Sequence, residues 1–152
     1  MQEKEKKGIQ IYVAVKCMGN ITKKVKSYPL VLEYVPNTLR ELIEEAVKSC
    51  VSAYEQRAKS GNAPSPHTQE QLQAMENIGK LAFGVHYNKN KIDIKEAIKT
   101  ATDALSDGLV RVFCGNDELT DLDAEIAINE REVFTFVRLT MLSGRMWSRG
   151  GF

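Results

Sequence analysis

The stretch that decides the fold is LVRVFCGNDELTDLDAEIAINEREVFTFVRLTML, residues 109–142. It begins with a short apolar, β-branched run at residues 109–114, which predicts a strand. Residues 119–128 place isolated apolar side chains among acids and predict a short strand or an irregular crossing. Residues 133–142 form the longest β-rich run of the chain. Because this run is nearly continuous in apolar residues, it predicts a central strand with both faces covered.

A hairpin is predicted at the other end of the chain. Residues 9–18 alternate apolar and polar side chains, which is the period-2 pattern of a half-buried strand. Gly19 and Asn20 interrupt this pattern with turn residues, and a second strand is predicted over residues 25–35. Pro29 lies inside that second strand and has no backbone N–H to donate. The strand is therefore expected at an edge of the sheet, or bulged at Pro29.

Three amphipathic helices are predicted between the hairpin and residue 109. Thr38 can cap the first helix, with Glu41 completing a capping box. Ser65 is the expected N-cap of the second helix, and Asp93 with Glu96 is a capping-box candidate for the third. The expected apolar stripes are Leu39, Leu42, Ile43, Ala46, Val47, Cys50 and Tyr54; Leu72, Met75, Ile78 and Leu81; and Ile94, Ala97, Ile98, Ala101 and Leu105.

The charge balance and the hydropathy of the sequence argue against nucleic acid and membranes as partners. The 152 residues include 21 Lys and Arg against 20 Asp and Glu, a formal net charge of +1. This balance gives no general attraction to nucleic acid or to an anionic membrane, and neither is an expected partner. No apolar stretch approaches the roughly 20 residues of a membrane span, and the charged N-terminus lacks the apolar core of a signal peptide. A cytoplasmic location is the expectation.

The sequence contains no motif that points to catalysis or to a cofactor. Three scattered cysteines, at positions 17, 50 and 114, do not have the spacing of a zinc site and predict buried thiols. His67 and His86 have no acid or nucleophile beside them, and His86 is expected to pack rather than to catalyse. The acidic run at residues 117–125 lacks the spacing of an EF-hand and predicts a solvated turn. We expect no enzyme activity, no metal and no cofactor.

Without residues 62–108, the order of elements resembles the β-grasp of ubiquitin and of prokaryotic sulfur carriers such as the small subunit of molybdopterin synthase. Within residues 110–139, a strand ending in a turn, an acidic Leu-Asp step and a polar turn before the last strand are similar to the second half of those carriers. The resemblance is carried by residues 9–18, 30–35, 38–54 and 109–142.

The resemblance implies an α+β, β-grasp fold in which a mixed sheet packs on one helix. Residues 1–148 would form a single ubiquitin-like domain, followed by a flexible tail at residues 149–152. The helical insertion at residues 62–108, between the first helix and the third strand, would pack at one side or end. The expected core includes Ile11, Val13, Leu32, Leu42, Val47, Val112, Phe136 and Val137.

The C-terminal Arg149-Gly150-Gly151 matches the Gly-Gly ending of ubiquitin-like modifiers and sulfur carriers. Because glycine has no side chain, a tail that ends in two glycines is narrow and flexible enough to enter the catalytic channel of an activating enzyme. The resemblance implies conjugation through Gly151 and Gly150, after a protease cuts between Gly151 and Phe152. It also implies an adenylating activating enzyme, a conjugating enzyme and a processing protease as protein partners.

Alternatives to the modifier hypothesis remain open. The chain could be a non-covalent interaction module of the β-grasp fold, in which Arg145, Trp147 and Arg149 bind a partner, since Trp and Arg dominate binding hot spots. Trp147 could instead fold back on the domain's own surface. A sulfur carrier would hold a thiocarboxylate on Gly151, but the inserted helices and the longer tail differ from such carriers. Terminal glycines also occur in frayed chain ends.

Overall fold

The structure is a computed structural model that describes residues 8–17, 27–59, 68–87 and 92–139. Within these ranges the chain is α+β, as the sequence predicts. The elements in chain order are β1 (Ile9–Cys17), β2 (Ser27–Leu32), α1 (Leu39–Lys59), α2 (Gln69–Phe83), α3 (Ile94–Ser106), β3 (Val110–Cys114), β4 (Asp117–Leu119) and β5 (Val133–Arg138).

The described strands form one mixed sheet in the order β2-β1-β5-β3-β4. β1 pairs in parallel with β5, and the other neighbouring strands are antiparallel. The predicted hairpin of β1 and β2 is confirmed, and so is the central place of β5. β2 lies at an edge, where Pro29 is opposite Tyr12. This position suits a residue without a backbone N–H, because an edge strand pairs on one side only.

One face of the sheet carries the core, and the prediction that both faces of β5 are covered is wrong. Phe134 and Phe136 point inward and are buried, whereas Val133 is 42% exposed and Val137, an expected core residue, is only half-buried. Side chains alternate along a strand, so a run of apolar residues does not place all of them inside. The buried strand residues of the core cluster are Ile9, Ile11, Val13, Leu30, Leu32, Val110, Val112, Phe134 and Phe136. Ala14 is also buried, but on the opposite face, where it pairs with Thr135.

Thr38 caps α1 as predicted, but Glu41 closes the cap on Asn37 and not on Thr38. The predicted stripe is buried except at Tyr54, which is half-buried. The Glu41 N–H donates to Thr38 Oγ1 over 3.1 Å, and the Glu41 carboxylate accepts from the Asn37 N–H over 2.8 Å. These bonds satisfy donors that a helix end otherwise leaves without partners. Val47, in the middle of the stripe, is fully buried.

The crossing segment, residues 120–128, holds the start of α1. The Arg40 N–H donates to the Leu122 carbonyl (2.8 Å), and the Ile126 N–H donates to the Asn37 carbonyl (2.8 Å). The Arg40 guanidinium also pairs with the exposed carboxylate of Asp123 at 3.0 Å. The acidic run is thus more than the solvated turn predicted, since its backbone satisfies the first turn of a helix.

α2 begins three residues later than predicted. Its N-cap is Thr68, whose hydroxyl accepts from the Gln71 N–H (3.0 Å) while the Gln71 side chain accepts from the Thr68 N–H (2.9 Å). This reciprocal capping box satisfies two donors together, and Ser65 lies outside the described residues. The predicted stripe is also wrong at Leu81, which is 46% exposed; Ala82 and Phe83 are buried instead.

The inserted helices are part of the core and do not pack only at one side or end. α2 contacts α1 and also β1, β2 and β5, while α3 contacts α1, α2 and β3. Phe83 of α2 meets Phe136 of the central strand edge to face, with ring centroids 5.0 Å apart. Buried residues of α1, α2 and the sheet form one hydrophobic cluster. The sheet therefore packs on more than one helix.

Candidate functional site

A groove lies between the end of α2, the segment that follows it and α3. It consists of a larger cavity of about 720 Å³ and a smaller one of about 420 Å³. Both cavities share Gly84, Val85, His86 and Thr100, so they are parts of one α2–α3 groove. The larger cavity is also lined by Lys80, Tyr87 and Arg138, and the smaller one by Ile92, Asp93, Glu96 and Ala97.

The end of α2 determines the shape of this groove. Gly84 adopts the left-handed conformation (φ 70°), which glycine enters without strain, and the Val85 N–H donates back to the Gly79 carbonyl over 3.0 Å. After this turn Val85 is buried and His86 is exposed. The Tyr87 ring then stacks on Tyr54 of α1, with centroids 4.7 Å apart. The expectation that His86 packs inside the domain is wrong, because the turn directs it outward.

Arg138, the last residue of β5, supplies a buried cationic group to the groove. It alternates with Phe134 and Phe136 and lies opposite Val110, on the core side of the sheet. Its Nη1 is buried, and no described residue accepts a hydrogen bond from it. Leaving a buried donor unpaired costs about 1–3 kcal/mol, and more when the group is charged. Nη2 lies 3.6 Å from the point where a Cβ on Gly84 would be, so the missing side chain of Gly84 leaves room beside the guanidinium.

Other arginines of the described chain do not share this state. Arg40 pairs with Asp123 at 3.0 Å, Arg57 with Glu76 at 2.6 Å and Arg111 with Glu118 at 3.3 Å. Arg131 is exposed to water. Among the described arginines, Arg138 therefore combines a buried nitrogen with the lack of an acceptor.

Charge is divided along the groove. Lys80, in the last turn of α2, lines the larger cavity together with Arg138, and none of the described residues lining that cavity is acidic. Asp93 and Glu96 line the smaller cavity, where the Asp93 carboxylate caps α3 by accepting from the Glu96 N–H over 3.3 Å. The larger cavity can therefore hold an anionic group, and the smaller one presents carboxylates.

The Cys50 thiol and the Tyr87 hydroxyl lie in surroundings that keep both groups protonated and unreactive. Burial raises the pKa of the Cys50 thiol, and burial together with the neighbouring Cys50 raises the pKa of the Tyr87 hydroxyl. That hydroxyl occupies the place where a Cβ on Gly79 would lie, and Cys50 Cβ would be 2.8 Å from the same point. A thiol reacts as its thiolate, so Cys50 does not have the environment of a catalytic nucleophile.

A second surface of interest is the outer face of the sheet, defined by Tyr12, Val31, Phe113, Val133, Thr135 and Val137. Strand register places these residues on the side opposite the core. Val133 is 42% exposed, and the others are half-buried. The same register also places Lys16, Arg111 and Glu118 on this side. In the described part of the chain the outer face is thus mixed, with apolar side chains of the central strand between charged ones, and it is partly open to solvent.

The predicted site residues Arg145, Trp147, Arg149, Gly150, Gly151 and Phe152 all lie outside the described residues. In the described ranges, no helix is long and apolar enough to cross a membrane. The same ranges contain no group of three or more His, Cys, Asp or Glu side chains that could hold a metal ion.

Sequence reasoning missed the groove, although one signal was present. In VFTFVR, residues 133–138, the period-2 alternation that turns Phe134 and Phe136 inward also turns Arg138 inward. The prediction that both faces of residues 133–142 are covered treats inward and outward positions alike, and it therefore does not single out Arg138. Comparison with known proteins identifies no relative, since no family model, no curated protein and no solved structure matches the chain.

Proposed function

We propose that the chain is a β-grasp protein of the ubiquitin-like kind. The observation that supports this most is the sheet. A β1–β2 hairpin and a β3–β4 hairpin lie on either side of β5, and β5 runs parallel to β1. α1 follows the first hairpin directly and contacts β2. The inserted α2 and α3 extend this arrangement and add a second helical contact to the same face.

On this basis we propose that the chain is a protein modifier conjugated through its C-terminal glycines. A protease would hydrolyse the Gly151–Phe152 peptide bond. An activating enzyme would then adenylate the Gly151 carboxylate with ATP, releasing pyrophosphate. A cysteine thiol of the conjugating machinery would displace AMP to form a thioester, and a lysine amine would displace that thiol to form an isopeptide bond. In the sequence, this proposal rests on Gly150 and Gly151. The order of strands in the sheet supports it, because that order resembles the one in ubiquitin.

The test is the intact mass of the chain purified from its native host. We expect loss of Phe152 and a series of heavier adducts joined to lysines of other proteins. Gly151→Ala should leave the melting temperature unchanged and remove the adducts, because under this proposal the activating enzyme requires a glycine at that position. A version that ends at Gly151 should form adducts without the protease.

Two other mass results have defined meanings. A chain that keeps Phe152 and forms no adducts contradicts the modifier proposal. A thiocarboxylate on Gly151 without adducts would instead identify a sulfur carrier. In either case the proposed fold is tested separately, by an experimental structure of the sheet.

A second candidate, a non-covalent interaction module, is favoured by the outer face. Its partly exposed Val133 and Val137 lie on the central strand, where a partner could cover them. Val137→Lys should weaken binding to a partner captured from the host at least tenfold, which is about 1.4 kcal/mol. Leu81→Lys is the matched control, since Leu81 is 46% exposed on α2 and away from this face. Equal binding by both variants would exclude the outer face.

A further inference from the structure

The α2–α3 groove has features that neither modification nor binding by the outer face requires. Its larger cavity, about 720 Å³, is within the range of roughly 300–1,000 Å³ typical of small-molecule sites. Val85 and Tyr87 give it an apolar and aromatic wall, and Thr100 adds a hydroxyl. Such a mixture of apolar walls and a few polar groups is typical of sites for small organic ligands.

The unpaired nitrogen of Arg138 indicates what the ligand must carry. Nη1 is buried and lacks an acceptor, and among the described residues no carboxylate forms an ion pair with this guanidinium. Buried polar groups in folded proteins nearly always have a partner, so an exception calls for an ion, a water or a ligand. A guanidinium recognises carboxylate and phosphate oxygens best, since its N–H groups match their geometry.

The surroundings of Arg138 favour an anion rather than a neutral acceptor. Lys80 is a second cation lining the same cavity, and the part of the lining that the structure describes contains no acidic residue. Asp93 and Glu96 line only the smaller cavity. Two cations beside partly apolar walls attract a negative group more strongly than a neutral acceptor.

We propose that the α2–α3 groove binds a small molecule through a carboxylate or phosphate group held by Arg138 and Lys80, with its apolar part against Val85 and Tyr87. This site is independent of the C-terminal chemistry and of the outer face. Gly84 permits it, because the glycine leaves space beside Nη2 of Arg138.

The experiment is isothermal titration of the full chain with three probes, in a chloride buffer of low ionic strength without other oxyanions. The probes are inorganic phosphate, phenylacetate and 2-phenylethylamine. We expect heat from phosphate, from phenylacetate or from both, and none from the amine. Binding of phosphate alone assigns a phosphate ligand, and binding of phenylacetate alone assigns a carboxylate with an aromatic body.

Three variants distinguish binding in the groove from a general effect of the protein's charge on probe affinity. Arg138→Gln should weaken the binding probe at least tenfold, and Lys80→Gln about threefold, as expected for loss of charge-assisted hydrogen bonds. Arg111→Gln is the matched control: it removes the same charge from β3 of the same sheet, and its affinity should stay within about twofold of the parent. Lys80 is exposed, so its variant tests the site even where Arg138→Gln does not fold.

Three results would overturn the proposal. The first is that neither phosphate nor phenylacetate binds in the millimolar range. The second is that 2-phenylethylamine binds as tightly as phenylacetate. The third is that Arg111→Gln loses as much affinity for the probe as Arg138→Gln and Lys80→Gln do. The last result would show that the probes respond to net charge and not to this cavity.

Discussion

Cys114 shows how one side chain's environment controls its chemistry. It ends β3, and its thiol donates to the Glu132 carboxylate over 3.2 Å. Partial burial, and then the hydrogen bond and charge of Glu132, raise the pKa of Cys114 to about 11. A raised thiol pKa means that the folded state keeps its proton longer than the unfolded state does. The contribution of the protonated Cys114 thiol to the free energy of unfolding is fully present below about pH 9 and is lost as the pH rises through about 11.

We therefore predict slow alkylation of Cys114. At pH 8 the thiolate fraction should be about 100-fold below that of a free cysteine, and the rate should rise with pH until about 11. Glu132→Gln should speed the reaction several-fold, because it removes the negative charge beside the sulfur. The measurement is iodoacetamide labelling followed by peptide mass mapping, with free cysteine as the reference. A rate equal to that reference would contradict the prediction.

At the scale of elements, α1 carries the apolar stripe that the rest of the domain covers. Val47 is fully buried at its centre. Val47→Asp should destabilise the domain by several kcal/mol, because a carboxyl group would be buried without a partner. Val133→Asp is the same change at a 42% exposed position and should cost about 1 kcal/mol or less. Urea unfolding of both variants checks this, and similar losses would contradict the burial of α1.

Local pattern was enough to predict most of these elements. The capping groups of Thr38 and Asp93 lie within a few residues of the donors they satisfy, so the sequence reveals them directly. Of the features that were not predicted, only the walls of the groove around Arg138 depend on residues distant in sequence. The other misses, at Val137 and Thr68, concern spacings that the local sequence does contain. Arg138 faces a groove built by α2 and α3, and Val137 lies on the outer face only because Phe136 faces the core. Thr68 replaced Ser65 as the N-cap because two nearby candidates competed and only one has Gln71 at the right spacing.

At the scale of the whole molecule, the inserted α2 completes the core. Phe83 is 3% exposed and packs on Phe136, whereas Leu81, two residues earlier, is 46% exposed. Phe83→Ala should cost about 3–5 kcal/mol, and Leu81→Ala less than about 1 kcal/mol. Thermal and urea unfolding of the pair gives the comparison. Two small losses would mean that the insertion is an accessory and not part of the core.

The parallel pairing of β1 with β5 also constrains when the molecule can fold during its synthesis. β5 lies between β1 and β3, so until residues 133–138 leave the ribosome the nascent chain holds two separate hairpins. Each of them presents an unpaired strand edge, which invites pairing with other chains. Pairing the first described strand with the last also closes a long loop, and such contacts form slowly. Until the middle strand is synthesised, these strand edges stay open to pairing with other chains.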